Sequence, residues 1–280
     1  MNAADTRALP LPTPEHFTYE ERERVGIITL NRPDRFNALT FDVYRELTDL
    51  FAVLEGRSLV AQGARALVLK GAGKAFCSGG DVDDIIAHLF RRDAEGLLRF
   101  TRMTGELIHN MRRCPLPIVA SVKRVAAGAG AVMALASDLR VMAKHSFFSF
   151  LFPQVGLSGA DMGASWLLPR IVGLGHASEL LLMGERIYAA QCLRVGLATR
   201  VCERDDGDAA DDEAFVLAKK LADHPHFATK MTKTVLQNAM ELPFAQAIEA
   251  DAQAQSLCMQ HPDFREANAA WNEKRPPRWR

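Results

Sequence analysis

Two glycine-rich segments of the chain carry backbone groups that could stabilise a negative charge. Residues 70–82 cluster glycines directly after a β-like run, which lets backbone N–H groups approach an anion closely. The Ser or Thr that would follow Gly73-Lys74 in a nucleotide-binding P-loop is missing. In residues 125–138, the run Gly128-Ala129-Gly130 predicts a helix N-terminus with unpaired N–H donors. Close packing of a buried helix would explain the same small residues.

A third segment, residues 152–173, places the carboxylate of Asp161 among small residues. The apolar side chains that follow it predict a helix, so Asp161 could be the N-cap of that helix. It could equally be a general acid/base, because a carboxylate in an apolar pocket has a raised pKa that suits proton transfer near neutral pH. Both interpretations stay open on local grounds.

Short apolar runs alternate with helical patterns through the first two thirds of the chain. The runs are rich in β-branched residues, as buried strands are, and the pattern between them has the spacing of helices. This alternation predicts an α/β domain rather than a β-sandwich. The predicted strands are Val25–Leu30, Ala66–Leu69, Pro117–Val122 and Leu139–Met142, and the predicted helices between them are Phe41–Leu54 and Leu97–Met111.

The composition changes near Asp205, where an acidic stretch precedes a run of helical patterns. Acidic residues suit a solvated linker and the N-terminus of a helix. We therefore divide the chain into a flexible N-terminal tail (residues 1–16), an α/β core (17–204) and a helical C-terminal region (205–280).

The bulk composition excludes several classes of partner. The 280 residues are 48% hydrophobic and carry 34 basic and 34 acidic side chains, so nothing favours nucleic acid or an anionic membrane as the partner. The eight histidines lack ligand-like spacing, and the five scattered cysteines favour reduced thiols, so we expect no metal. No run predicts a signal peptide or a membrane span, and we expect a cytoplasmic protein.

Five motifs, taken in order, resemble the crotonase (enoyl-CoA hydratase/isomerase) superfamily over about residues 17–277. Each is weak alone, and their combination is specific. They are Asn31-Arg32-Pro33 with Phe36-Asn37-Ala38-Leu39, the octapeptide Lys74–Asp81 (KAFCSGGD), the strand and turn Pro117–Gly130, the segment Leu168–Gly173 with Gly196-Leu197, and the closing Trp271–Pro276.

The resemblance implies a fold and an assembly. Its fold is a spiral of ββα turns that forms two roughly perpendicular sheets, followed by C-terminal helices that mediate trimer formation. A homotrimer or a dimer of trimers is expected. The implied substrate is an acyl-CoA thioester, so coenzyme A arrives as part of the substrate and no separate cofactor is expected.

Residue roles also follow from the resemblance. The backbone N–H groups of Cys77 and Ala129 would form the oxyanion hole, whereas a buried Cys77 thiol is expected to be inert. The residues implied in CoA binding are Arg35, Ala38, Ala75, Gly79, Asp81 and Val82. The residues implied in the acyl pocket are Ile85, Val132, Phe152 and Trp166, and the aromatic residues favour a bulky cyclic or aromatic-derived acyl group.

The chain departs from the hydratase pattern at both catalytic glutamates. The first glutamate position falls on Val132, and the second falls on Phe152 or Gln154, depending on the residue from which the position is counted. Gln154 could orient a water but could not deprotonate it. Asp161 remains, and it corresponds, with one extra residue in the segment, to the aspartate of family members that shift double bonds. Proton transfer by Asp161, with Gln154 as a second catalytic candidate, is therefore the leading hypothesis.

Two other activities and one local feature stay open. Thioester hydrolysis or ring cleavage would use the same oxyanion hole, and a non-catalytic acyl-CoA-binding protein would explain the loss of both glutamates. Arg124 replaces the glycine that usually precedes the second oxyanion turn. It could form a salt bridge within a trimer or lie near the CoA phosphates.

Overall fold

The strands predicted from the apolar runs lie in one six-stranded sheet of the computed structural model, which describes residues 11–57, 63–204 and 207–280. The strand order is β1-β2-β3-β4-β6-β9, and all neighbouring pairs are parallel except β1 and β2. The strands are β1 (Phe17–Arg22), β2 (Val25–Leu30), β3 (Ala66–Gly71), β4 (Ile118–Val122), β6 (Leu139–Met142) and β9 (Arg200–Val201).

A second, three-stranded sheet follows the glycine-rich turns. Its order is β5-β7-β8, with β5 parallel and β8 antiparallel to β7. The strands are β5 (Val125–Ala127), β7 (Phe147–Ser149) and β8 (Arg186–Tyr188). The predicted mixed α/β class with two sheets is confirmed.

Ten α-helices surround the two sheets in the described part of the chain. The predicted helices at 41–54 and 97–111 correspond to α1 and α3, each slightly longer than the apolar pattern. The bounds are α1 (Phe41–Arg57), α2 (Ala87–Leu89), α3 (Ala94–Arg113), α4 (Ala129–Ala136), α5 (Ala164–Met183), α6 (Ala189–Arg194), α7 (Ala209–Asp223), α8 (His226–Ala239), α9 (Phe244–Gln260) and α10 (Pro262–Asn272).

The large sheet is covered on both faces, as a mostly parallel sheet requires. Successive residues of β2 point to opposite sides, so Ile28 joins the main core while Ile27 joins a smaller cluster behind the sheet. Helix α7 packs against that rear face through buried alanines spaced four residues apart. Small side chains at this spacing bring the helix close to the strands. The alanines are Ala210, Ala214, Ala218 and Ala222.

Charged side chains tie the start of the described chain and helix α8 of the C-terminal region to the core. The backbone N–H groups of Glu15 and His16 both donate to Glu46 on α1, so these two residues of the predicted flexible tail are anchored, while residues 1–10 lie outside the described part. At the C-terminal end, Lys233 on α8 is buried and its Nζ lies 2.7 Å from Asp138 Oδ2. The boundary predicted at Asp205 also lies outside the described residues. None of the described helices has the length and apolar character needed to cross a membrane.

Replacing Lys233 with alanine is expected to destabilise the fold by about 3 kcal/mol, because it leaves the Asp138 carboxylate without its buried partner. The same change removes the hydrogen bond from Lys233 to Leu116 O. Urea unfolding of wild type and variant measures the loss. Arg45→Ala removes the exposed Arg45–Asp42 pair on α1 and is the control, with an expected change below about 0.5 kcal/mol. Equal effects of the two changes would contradict this interpretation.

Candidate active site

The turn after β3 is held in shape by the amide of Asn37. Its Nδ2 donates to Ala72 O at 3.0 Å and to Ala75 O at 2.8 Å, and its Oδ1 accepts from Arg32 N at 2.9 Å. Gly71 is required in this turn, since a Cβ there would lie 2.2 Å from Ala75 O. The Asn37 side chain thus connects the turn after β2 to the first glycine-rich segment.

The loop from Cys77 to Asp81 is hydrogen-bonded to β5 on one side and to the turn at 36–39 on the other. Cys77 N donates to Val125 O at 3.1 Å, and Asp81 N donates to Leu39 O at 2.9 Å. The Cys77 N–H therefore already has a protein acceptor. Its assignment as an oxyanion donor is wrong, because a donor engaged in a β-bridge is not free to bind a ligand.

Gly80 N–H is the donor in this loop that the described hydrogen bonds leave free, because Ser78 and Asp81 donate to backbone carbonyls and Gly79 to the sulfur of Cys77. Gly80 pairs with Leu39 in a parallel β-bridge. The hydrogen bonds of this bridge use Gly79 O and Asp81 N, so they leave Gly80 N–H without an acceptor.

Ala129 supplies a second free donor, as predicted from the second segment. It is the first residue of α4, where an N–H has no intrahelical acceptor. The two turns adjoin, since a Cβ on Gly79 would lie 3.7 Å from Ala129 N and 3.1 Å from Ala127 O. Two unpaired N–H groups on adjoining turns can stabilise an oxyanion.

The Cys77 side chain has a packing role. Burial raises the pKa of its thiol to about 12, so it is protonated at neutral pH. A Cβ on Gly130 would lie 2.8 Å from Cys77 Sγ, so only glycine lets α4 lie this close to the loop. The expectation that the thiol is chemically inert agrees with this environment.

Asp161 is a half-buried carboxylate that caps no helix. The N-cap position of α5 is occupied by Gly163, and Asp161 Oδ1 accepts a hydrogen bond from the neighbouring Met162 N at 2.9 Å. Burial raises the pKa of this carboxyl group, and the single hydrogen bond from Met162 only partly opposes the shift. The interpretation of Asp161 as the N-cap is therefore wrong.

Tyr44 on α1 is buried in the main core together with Cys77 and Met162, the residue that follows Asp161. Burial raises the pKa of Tyr44 well above its usual value, and electrostatic interactions with Cys77 and Asp161 raise it further.

The comparisons with known proteins agree with this geometry. The sequence profile of the family described as "Enoyl-CoA hydratase/isomerase" matches residues 20–280. The chain is 36% identical to a probable enoyl-CoA hydratase of Rhodobacter capsulatus, over 92% of this chain and 95% of the relative. It belongs to the enoyl-CoA hydratase/isomerase family. The predicted superfamily is confirmed, and the chain is an enzyme of this crotonase family.

Other members of the family resemble it along most of their length. A 1,2-epoxyphenylacetyl-CoA isomerase of Escherichia coli is 30% identical over 91% of this chain and 94% of the relative. A solved structure from Streptomyces coelicolor A3(2), provisionally described as an enoyl-CoA hydratase, is 47% identical and superposes with a TM-score of 0.93. It covers 100% of this chain and 99% of its own.

The residues predicted for the two glutamate positions of crotonase hydratases are Val132 for the first, and Phe152 or Gln154 for the second. Val132 on α4 is completely buried in the core, and the ring of Phe152 lies 3.9 Å from where a Cβ on Gly128 would be. Gln154 is exposed and donates from Nε2 to Met183 O at 3.1 Å, at the C-terminal end of α5. Its assignment as a catalytic residue stays a prediction.

The structure brings only some of the expected acyl-pocket residues to the two turns. Ile85 is buried, with Cγ2 lying 3.7 Å from where a Cβ on Gly80 would be. Phe152 covers the second turn. Trp166 on α5 is half-buried under the guanidinium of Arg170, which lies 3.9 Å from its ring centre.

Some of the residues expected to bind CoA have side chains that are free to contact a ligand, and others are engaged within the protein. Arg35 is exposed, 3.4 Å from Asp83, and Val82 is 70% exposed, so both side chains can contact a ligand. Asp81 is buried, and its carboxylate accepts from two backbone N–H groups and pairs with Arg32 at 2.9 Å. Burial opposes ionisation of Asp81, but these contacts outweigh it and lower its pKa.

The backbone carbonyls of three small residues of the expected CoA site accept hydrogen bonds that hold the loop in its conformation. Ala38 O accepts from Arg32 Nη1, Ala75 O accepts from Asn37 Nδ2, and Gly79 O accepts from Leu39 N. Their contact with CoA stays a prediction.

Arg124 is exposed and adopts a left-handed φ of 52°. Its guanidinium lies 4.9 Å from the ring centre of Phe36. Within the described residues, it forms no salt bridge with a carboxylate. A lone grouping of possible metal ligands, Glu15, His16 and Glu46, occurs among those residues, and it shares no side chain with the site.

Gly79→Ala is expected to lower the activity of the enzyme on enoyl-CoA substrates by at least about tenfold. Gly79 has a φ of 103°, and the new Cβ would push against Ala127 O and displace the two donors relative to each other. Steady-state kinetics on folded protein measures the effect. Gly105→Ala on α3 meets open space and is the control. Normal activity of Gly79→Ala would show that the loop tolerates the displacement.

Proposed function

We propose that this enzyme transfers a proton within an unsaturated acyl-CoA thioester, by way of an enolate, and so shifts a carbon–carbon double bond. Asp161 is the general acid/base, and the N–H groups of Gly80 and Ala129 bind the thioester oxygen. The observation that carries the proposal is the half-buried Asp161 carboxylate, which accepts a hydrogen bond from Met162 N and whose pKa is raised by burial.

The proposed reaction balances without a water or a cofactor. The Asp161 carboxylate removes a proton from a carbon activated by the thioester, and the electron pair moves onto the thioester oxygen, where the two N–H donors stabilise it. The resulting carboxylic acid returns the proton to another carbon of the conjugated system, which moves the double bond. A raised pKa makes the Asp161 carboxylate a stronger base, which helps it to remove a proton from carbon.

Hydration is less well supported than isomerisation. Two carboxylates would have to hold and activate a water, but Val132 and Phe152 are apolar and the amide of Gln154 cannot deprotonate a water. The names of relatives divide between the two reactions, since the Rhodobacter protein is named a hydratase and the Escherichia coli protein an isomerase. The residues at the site favour the isomerase chemistry.

A bulky cyclic or aromatic-derived acyl group suits the walls of the site. Phe41 and Phe100 pack edge to face with ring centres 5.4 Å apart, and Phe100 also contacts Tyr44. Phe152 adds an aromatic ring at the second turn. Flat apolar walls of this kind favour planar, hydrophobic acyl groups.

Asp161→Asn is expected to lower proton exchange by about 10²- to 10⁴-fold, because an amide can neither accept nor return the proton. Mass spectrometry of unsaturated acyl-CoA thioesters incubated in D₂O measures the exchange and distinguishes it from addition of water. In the wild type, the rate should rise with pH through the raised pKa of Asp161, since the carboxylate form is the base.

Asp49→Asn, which changes an exposed carboxylate on α1, is the control for that experiment and should exchange at the wild-type rate. Exchange that persists in Asp161→Asn would move the proton transfer to another group. Release of free CoA, detected with a thiol reagent, would instead support thioester hydrolysis. Tight binding of acyl-CoA without exchange would support a non-catalytic binding protein.

We also propose that the chain assembles as a homotrimer or a dimer of trimers through its C-terminal helices. These helices and α5 expose large apolar side chains, which soluble proteins usually cover at interfaces. The most exposed examples are Leu236, Phe244, Ile248, Met259, Phe264, Trp271, Leu174 and Leu182.

Sedimentation equilibrium is expected to give three or six times the mass of one chain. Phe244→Glu places a charge at a position that is 81% exposed in the isolated chain, and it should shift the assembly toward smaller species. Leu193→Glu, on α6 outside these helices, changes an apolar side chain that is 48% exposed; it is the control and should leave the mass unchanged. A monomeric wild type would refute the assembly.

A further inference from the structure

A carboxylate on α7 is buried against the carboxyl ends of two neighbouring strands of the large sheet. Asp211 Oδ2 accepts from Lys123 Nζ at 2.9 Å and from Lys70 Nζ at 3.3 Å. Its Oδ1 accepts from Ser121 Oγ at 2.6 Å. Lys123 and Ser121 are buried, and the Asp211 side chain is 12% exposed. The three donors supply the partners that a buried carboxylate requires.

This polar cluster continues a face of the sheet that is otherwise apolar. Alternate residues of β3 and β4 point to the same side. On that side Ala66, Val68 and Val119 belong to the smaller apolar cluster behind the sheet. The next positions on the two strands are polar, Lys70 and Ser121. Because a buried ion pair often stabilises a fold no more than apolar packing would, the cluster points to a role in positioning.

Both turns of the candidate oxyanion site leave the large sheet at this cluster. Lys70 is the next-to-last residue of β3, which leads into the loop that carries Gly80. Lys123 lies in the two-residue connection from β4 to β5, and β5 leads directly to the turn that carries Ala129. Asp211 therefore holds each stretch of chain just before it reaches one of the two donors.

The backbone around Lys123 also joins the two turns to each other. Lys123 O accepts from Phe76 N at 2.9 Å, and two residues later Val125 O accepts from Cys77 N at 3.1 Å. A displacement of Lys123 would therefore move the first loop relative to β5. Two donors must converge on one oxygen atom, and a misplacement of about 1 Å in such a site can lower a rate by about 10²-fold.

We infer that Asp211 is a positioning residue: by holding Lys70 and Lys123, it fixes the two oxyanion donors relative to each other. The inference rests on the proposed function, because it takes the N–H groups of Gly80 and Ala129 as those donors. Both carboxylate oxygens of Asp211 are engaged behind the sheet, so it acts through the two lysines and not on the substrate.

Asp211→Asn tests the inference against a matched control, Asp138→Asn, at the opposite end of β4. Asp138 also pairs with a buried lysine, since its Oδ2 lies 2.7 Å from Lys233 Nζ. It also binds the strand itself, because the same oxygen accepts from Ile118 N at 2.7 Å. Each change removes one carboxylate charge from a buried lysine, so similar losses of stability are expected, and urea unfolding measures both.

Amide hydrogen exchange, read by mass spectrometry on residues 71–82 and 123–130, measures how firmly the two turns are held. Asp211→Asn is expected to speed amide exchange in both segments by about tenfold or more, and Asp138→Asn by less than about threefold. The difference is expected because only the first change releases the chain where the turns begin.

Kinetics on cyclohex-1-enecarbonyl-CoA in D₂O provides the second measurement. Asp211→Asn is expected to lower kcat for proton exchange into the substrate by about tenfold, with KM changed by less than about threefold, because the contacts to CoA remain. Asp138→Asn should keep both values. A role in stability alone would not divide kcat from KM in this way.

Two results would overturn the inference. If the two variants show the same amide exchange in the turns and the same kinetics, Asp211 contributes to stability alone. If kcat falls in Asp211→Asn without faster amide exchange, Asp211 influences the reaction by another route.

A second variant keeps the inference testable if Asp211→Asn fails to fold. Lys70→Met changes the more exposed lysine of the cluster, 30% exposed, and leaves Asp211 paired with Lys123. It is expected to speed amide exchange in residues 71–82 and not in residues 123–130. Wild-type exchange in residues 71–82 would contradict the inference.

Failure of the proposed function is distinguishable from failure of this inference. A wild type that exchanges no protons into the thioester would refute the proposed reaction, and amide exchange of the free enzyme would still test Asp211. Faster exchange of both turns in Asp211→Asn alone then supports the inference, and unchanged exchange overturns it.

Discussion

The hydrogen bonds that join the loop at Cys77–Asp81 to β5 and to the turn at 36–39 are the constraint on which the site depends. They use the N–H groups of Cys77 and Asp81 and leave that of Gly80 free. The same bonds set the loop against Gly128 and Ala129, so the two free donors lie on adjoining turns. A backbone held on both sides reorganises little when charge develops, which is the property that an oxyanion site needs.

The glycines of this region follow from that constraint. Gly130 lets α4 lie on Cys77, and Gly79 lets its loop pass close to Ala127. In each case a side chain would separate the two turns and misalign the donors. The buried thiol of Cys77 fills the space that remains, and its high pKa reflects packing rather than reactivity.

Charge at the site is concentrated in one carboxylate. Asp81 is neutralised by Arg32 and by two backbone N–H groups, so it organises the loop and leaves the chemistry to another residue. Asp161 receives one hydrogen bond and no cation among the described residues, and burial raises its pKa. The opposite pKa shifts of the two carboxyl groups come from this difference in partners, and they distinguish a structural carboxylate from one suited to proton transfer.

The sequence by itself determined the family, the α/β class, the principal strands and the two turns, because each depends on local patterns such as apolar runs and clustered glycines. Tertiary structure decided which backbone and side-chain groups of these motifs are free to bind a ligand. Cys77 and Gly80 lie in one motif, and only the bridge to β5 shows which N–H is engaged. The amide of Gln154 donates to Met183 O at the end of α5, a partner 29 residues away that no local pattern reveals, because only the folded chain brings the two residues together.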